Sequence, residues 1–122
     1  MYKYYNANEG GKFVNDCVVR SIATAENQTW SDTYDDLSRI AKNNNILLDD
    51  VNFVEPLLDY RYKRVYPEHC NAVIPVAEFI DRYPNGTYLI TMSGHITVVI
   101  DGVLYDTFDC RNRLLLDAWK VK

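Results

Sequence analysis

Apolar residues in this chain follow a helical period in its first half and a strand period from about residue 87 onward. Val18, Val19, Ile22 and Ala23 share one helical face and predict a helix from about Asp16 to Glu26, with Asn15 as its N-cap. Thr29 or Ser31 caps a second helix whose Tyr34, Leu37, Ile40 and Ala41 form a stripe, and Asn43-Asn44-Asn45 ends it. Ahead of both, Met1 to Val14 is polar and aromatic and contains Gly10-Gly11, so it predicts an entry loop.

The stretch from Ile46 to Asn71 is less regular. Val51, Val54, Leu57 and Leu58 suggest a short helix, provided Pro56 falls in its first turn or at a break. The alternation from Tyr60 to Tyr66 predicts a strand. Pro75 opens a helix with Val76, Phe79, Ile80 and Tyr83 inward, and Pro84-Asn85-Gly86 closes it.

Strands then follow at Thr87 to Met92, His95 to Ile100 and Val103 to Thr107, with a last one from about Leu115 to Val121. Asp101-Gly102 is a strong two-residue hairpin signal, which sets Ile100 against Val103, Val99 against Leu104 and Val98 against Tyr105. Helices first and strands afterwards predict an α+β fold, with N-terminal helices on a C-terminal antiparallel sheet. No internal repeat or linker divides residues 1–122, so a single domain is expected.

Composition narrows the function classes. The net charge of −4 and the lack of a long basic run argue against nucleic acid as a partner. No apolar stretch reaches the roughly 20 residues that span a bilayer, and the N-terminus lacks an apolar signal region, so the expectation is a cytoplasmic protein with no membrane partner. Three cysteines at irregular spacing, Cys17, Cys70 and Cys110, do not form a disulfide framework and predict reduced thiols. His69, Cys70, Cys17, His95 and Cys110 offer donors for zinc, but no Cys-x-x-Cys or similar ligand pair accompanies them, and no metal is expected. Gly10-Gly11 lacks the Gly-Lys-Ser/Thr of a phosphate loop, and no cofactor is expected.

The chemistry centres on Asn15-Asp16-Cys17-Val18-Val19-Arg20-Ser21-Ile22-Ala23. A thiol in the first turn of a helix has its thiolate favoured by the helix N-terminus, which makes Cys17 the candidate nucleophile. On the predicted hairpin, His95, Thr97 and Val99 share a face with Leu104, Asp106 and Phe108, so Asp106 lies diagonal to His95. His95 is the candidate base and Asp106 the residue that orients it; Asp109 is the alternative orienter. The ordinary reading of each is also open: a core cysteine, a space-filling histidine and a turn-end carboxylate.

The order of a Cys opening the first helix, a His opening a later strand and an Asp ending the next strand resembles the papain-like cysteine peptidase superfamily, in a small bacterial or phage-type form. Asp106-Thr107-Phe108 is similar to the Asn-Ser-Trp that carries the third catalytic residue in papain. Asn15 to Ala23 also resembles the nucleophile helix of the ovarian-tumour deubiquitinases, and Gly94-His95 with its apolar strand resembles the peptidase domains of bacteriocin exporters. The resemblance covers roughly Asn15 to Glu26 and Thr87 to Phe108. It implies a papain-like fold and a thiol hydrolase that cleaves a peptide, isopeptide or other amide bond in a protein or peptide substrate through Cys17, His95 and Asp106. Deamidases and transglutaminases share that thiol chemistry.

One departure is plain: papain and the exporter peptidases use a Gln several residues before the nucleophile as an oxyanion donor, whereas Gly11 stands six before Cys17 and no Gln precedes it. Asn15 or backbone amides at the helix start take that role in this reading. The departure and the small size motivate a rival, an inactive papain-like binding module, for example a viral or mobile-element protein that blocks a host factor.

Overall fold

A computed structural model describes residues 1–12, 14–67 and 73–122. His69 and Cys70, weighed above as zinc donors, lie outside the described residues. Within them the order is β1 (Tyr2–Tyr4), α1 (Cys17–Glu26), α2 (Trp30–Asn43), α3 (Val51–Arg61), β2 (Lys63–Tyr66), α4 (Val76–Arg82), β3 (Thr87–Met92), β4 (His95–Ile100), β5 (Val103–Asp106) and β6 (Asp117–Lys120). The fold is α+β, and the strands form one six-stranded sheet in the order β1-β5-β4-β3-β6-β2.

That sheet is mixed, where a purely antiparallel one was expected. Tyr2–Tyr4, expected in a loop, runs parallel to β5 with Tyr2 opposite Leu104 and Tyr4 opposite Asp106. Leu104 N–H bonds to the Met1 carbonyl and Tyr5 N–H to the Asp106 carbonyl, both at 2.9 Å. The pairing covers an edge that β5 would otherwise leave open, and a short polar strand of this kind has no apolar alternation to announce it.

The Asp101-Gly102 hairpin has the expected register, Ile100 to Val103, Val99 to Leu104 and Val98 to Tyr105. Both turn residues have positive φ, 47° and 80°, as a turn matched to the strand twist requires. A second two-residue turn, Ser93-Gly94, joins β3 to β4 and pairs Met92 with His95.

Helices cover both faces of the sheet. On one, Val18, Val19 and Ile22 of α1, Leu37 of α2 and Leu58 of α3 pack with Leu89, Ile96, Val98 and Trp119. On the other, Val76, Phe79 and Ile80 of α4 pack with Tyr88, Ile90, Val99 and Leu104. Burial on both sides is why β3 reads as an almost unbroken apolar run.

Local differences have local causes. The N-cap of α1 is Asp16, one residue later than expected, and Asn15 is exposed. Thr29 caps α2 by accepting the Asp32 N–H at 3.1 Å, as the sequence suggests. Tyr34 leaves the expected stripe and stacks on Trp30 at the surface, with ring centroids 5.1 Å apart. Pro56 sits in the interior of α3 and not in its first turn or at a break. That helix also takes in Tyr60 and Arg61, so the following strand is shorter than the alternation predicts.

Candidate active site

Cys17 occupies the first position of α1, and its helix is held to the sheet by Val18, Val19 and Ile22 and by a 3.0 Å bond from Ser21 Oγ to the Ile96 carbonyl. The packing face carries Ile96 and Val98. His95, Thr97 and Val99 alternate onto the opposite face, so the helix does not lie over the histidine. His95 opens β4 and Asp106 ends β5, which places both at the same end of the sheet. The first turn of α1 meets them there, round the strand ends.

Three of the expected residues come together at that end. His95 Nε2 lies 2.7 Å from Asp106 Oδ2, and Cys17 and His95 line the same cleft. Asp106 is buried, and its Oδ1 accepts the Thr107 N–H at 2.7 Å and Arg20 Nη1 at 3.2 Å. The exposed Phe108 ring covers His95 with centroids 4.8 Å apart. Asp109, the alternative orienter, is turned away into a two-point pair with Arg111 at 2.9 and 2.7 Å.

The electrostatics follow from this wiring. Burial raises the Cys17 pKa, but the hydrogen bond with His95, a backbone bond from Ile96 and the charges of His95 and Arg20 together hold it below its usual value. Burial disfavours the His95 cation, yet the bonds to Asp106, Cys110 and Cys17 raise its pKa well above normal. Asp106 is pushed up by burial and held down, with the larger net effect, chiefly by His95. Both shifts run in the direction of a thiolate beside an imidazolium.

Compared with family models, curated proteins and solved structures, the chain matches none.

Cys17 and His95 open onto a cleft of about 330 Å³ between the start of α1, the start of α3 and the β3–β4 turn. Asn15 lines it beside the thiol, with Val51 and Leu116 supplying apolar wall. Arg113 Nη2 bonds to the Ser93 carbonyl at 2.6 Å and braces the turn that precedes His95. Asp16 makes no side-chain cap, because its carboxylate accepts from Arg20 Nε at 2.7 Å and Trp30 Nε1 at 2.8 Å. First-turn amides of α1 are thereby left uncapped by a side chain next to Cys17.

Arg20 was not singled out from the sequence, and Cys110 was weighed there only as a zinc donor. Arg20 had a readable signal, its spacing of four from Asp16 on the helix. Cys110, 1% exposed, had no signal for a place beside the carboxylate, where its Sγ lies 3.9 Å from Asp106 Oδ2. His95, Asp106 and Cys110 bring donor atoms within 4.8 Å of one another. The 2.7 Å hydrogen bond inside that group and the Arg20 cation on the same carboxylate fit an orienting pair better than a divalent ion.

Proposed function

We propose that this chain is a small thiol hydrolase of papain-like architecture acting on a peptide, isopeptide or other amide bond. The observation that carries the reading is a helix-opening thiol that shares one cleft wall with an imidazole whose Nε2 is 2.7 Å from a buried carboxylate. With Nε2 engaged by Asp106, Nδ1 is the ring nitrogen left for Cys17. The Cys17 thiolate attacks the carbonyl carbon, forming a carbon–sulfur bond and an oxyanion. Collapse breaks the carbon–nitrogen bond as the His95 imidazolium passes its proton to the leaving amine. Water, deprotonated by His95, then hydrolyses the thioester and restores the thiol. The uncapped amides of α1 and the Asn15 side chain are the donors offered to the oxyanion. A protein or peptide substrate suits this chemistry, and no metal or cofactor takes part in it.

The test is trapping. At neutral pH iodoacetamide should modify Cys17 faster than Cys70 and Cys110, and purified protein incubated with cell extract should accumulate an acyl adduct on Cys17. His95→Gln should slow adduct formation by roughly 10²–10⁴-fold. Equal labelling of the three cysteines, with no adduct, would refute the hydrolase.

A binding module that has lost turnover is the second reading, favoured by Gly11 where a Gln donor is expected: it is exposed and has φ 64°. A Cys17→Ala protein that keeps its full biological effect would select that reading.

A further inference from the structure

Arg20 stands where the helix of the nucleophile and the hairpin of the base are joined. Its Nε donates to Asp16 Oδ1 at 2.7 Å, and its Nη1 donates to Asp106 Oδ1 at 3.2 Å and to Thr107 Oγ1 at 3.1 Å. Only 13% of the side chain is exposed. Asp16 is the residue immediately before Cys17, and Asp106 is the residue that holds His95. One planar guanidinium therefore spans the two halves of the site, which are separated by most of the chain. A fork with fixed donor directions can do this, and a single ammonium cannot. Trp30 Nε1, bonded to the second oxygen of Asp16 at 2.8 Å, fixes the orientation of that carboxylate from α2.

We propose that Arg20 is a positioning residue that sets the register between Cys17 and His95 by bridging Asp16 and Asp106. The inference rests on the thiol hydrolase reading. Packing fixes α1 on the face of Ile96 and Val98, whereas His95 belongs to the other face, so a bond to Asp106 adds a tie that this packing does not supply. Ser21 Oγ ties α1 to the Ile96 carbonyl of β4, and among the described residues Arg20 is the α1 side chain that bonds to Asp106, the partner of His95. Its charge acts in the same direction, favouring the Cys17 thiolate and offsetting the carboxylates of Asp16 and Asp106. The other ionisable groups around the join are Tyr2, whose hydroxyl donates to the Asp106 carbonyl at 3.2 Å, Cys110 at 3.9 Å from Oδ2, and Lys12 across a shallow depression shared with Arg20 and Thr107.

The experiment measures Cys17 alkylation by iodoacetamide against pH in the full chain, read residue by residue by mass spectrometry, together with the downfield ring-proton resonance of His95. Arg20→Gln should move the midpoint of the alkylation profile upward by about half a unit to one unit, slowing labelling about three- to tenfold on the acid side and leaving the alkaline plateau unchanged. It should also broaden the ring-proton signal. Arg20→Lys keeps the charge without the fork, so it should hold the midpoint near that of the wild type and still broaden the signal. A folded Arg20→Gln protein with wild-type midpoint and wild-type signal overturns the proposal. If Arg20→Gln does not fold, an Arg20→Lys protein with an unbroadened signal overturns it alone. His95→Gln separates this failure from that of the underlying reading: a wild-type midpoint there removes the thiol–imidazole pair itself, whereas a shifted midpoint there beside an unshifted Arg20→Gln removes only the role of Arg20.

Discussion

His95 and Asp106 are both disfavoured as ions by burial, and each is held ionised chiefly by the other. The consequence for stability has a definite sign. The folded pKa of Asp106 lies below the usual 3.8, so its contribution is present above about pH 4 and is lost as acid passes through the folded value. The folded pKa of His95 lies above the usual 6.5, so its contribution is complete below that pH and declines as alkali approaches the raised value. The pair is thus fully effective between about pH 4 and pH 6.5. Thermal melting of His95→Gln against the wild type should show its largest deficit inside that window, narrowing on either side. A deficit that stays constant from pH 4 to pH 9 would contradict the ion pair. Phe108 belongs to the same scale, since its ring shields one face of the imidazole while 42% of the residue remains exposed.

The turn before β4 acts on the site as an element. Gly94 has φ 70°, and a Cβ placed there meets no atom within 4 Å, so the cost of a side chain is in the backbone alone. Gly94→Ala should lower stability by about 1–2 kcal/mol and slow Cys17 alkylation by shifting the first residue of β4; a melting temperature and labelling rate equal to wild type would show that the turn does not set His95. The strands on either side of it, β3 and β4, were legible beforehand, because apolar runs bounded by glycines leave few alternatives. The hairpin at Asp101-Gly102 was legible to the residue, which is why Asp106 could be placed beside His95. Residues 1–14 and the interior of α3 were not. β1 is polar and owes its strand to hydrogen bonds with β5, and Pro56 is tolerated inside a helix that the core holds through Phe53, Val54, Leu57 and Leu58. Sequence spacing also placed Cys17 and His95 on their elements without revealing that α1 packs on one face of β4 while the His95 side chain belongs to the other, since side-chain alternation within one hairpin says nothing about which face a distant helix covers.

Across the whole molecule, the two apolar clusters are separated by the sheet, and the candidate site lies at the end where both give way to polar side chains. None of the helices among the described residues is long and apolar enough to cross a membrane. β1 matters here more than its three residues suggest, because it covers β5, the strand that ends in Asp106, and Tyr2 bonds to the Asp106 carbonyl. Removing the first five residues should lower the melting temperature and reduce the labelling advantage of Cys17 over Cys110, even though the segment contributes no expected catalytic residue. An unchanged ratio of labelling rates would show that β5 holds its end without the added strand.

The parallel seating of β1 on β5 also has a consequence in time. During synthesis Cys17 leaves the ribosome well before His95, Asp106 and the strand on which β1 docks. A nascent chain carries Cys17 as an ordinary thiol, without the imidazole that favours its ionisation, until β4 and β5 are available to be zipped between β3 and β1. On the proposed hydrolase reading, chains that stop short of residue 106 lack the carboxylate that holds His95, and the paired thiol arises together with β4 and β5.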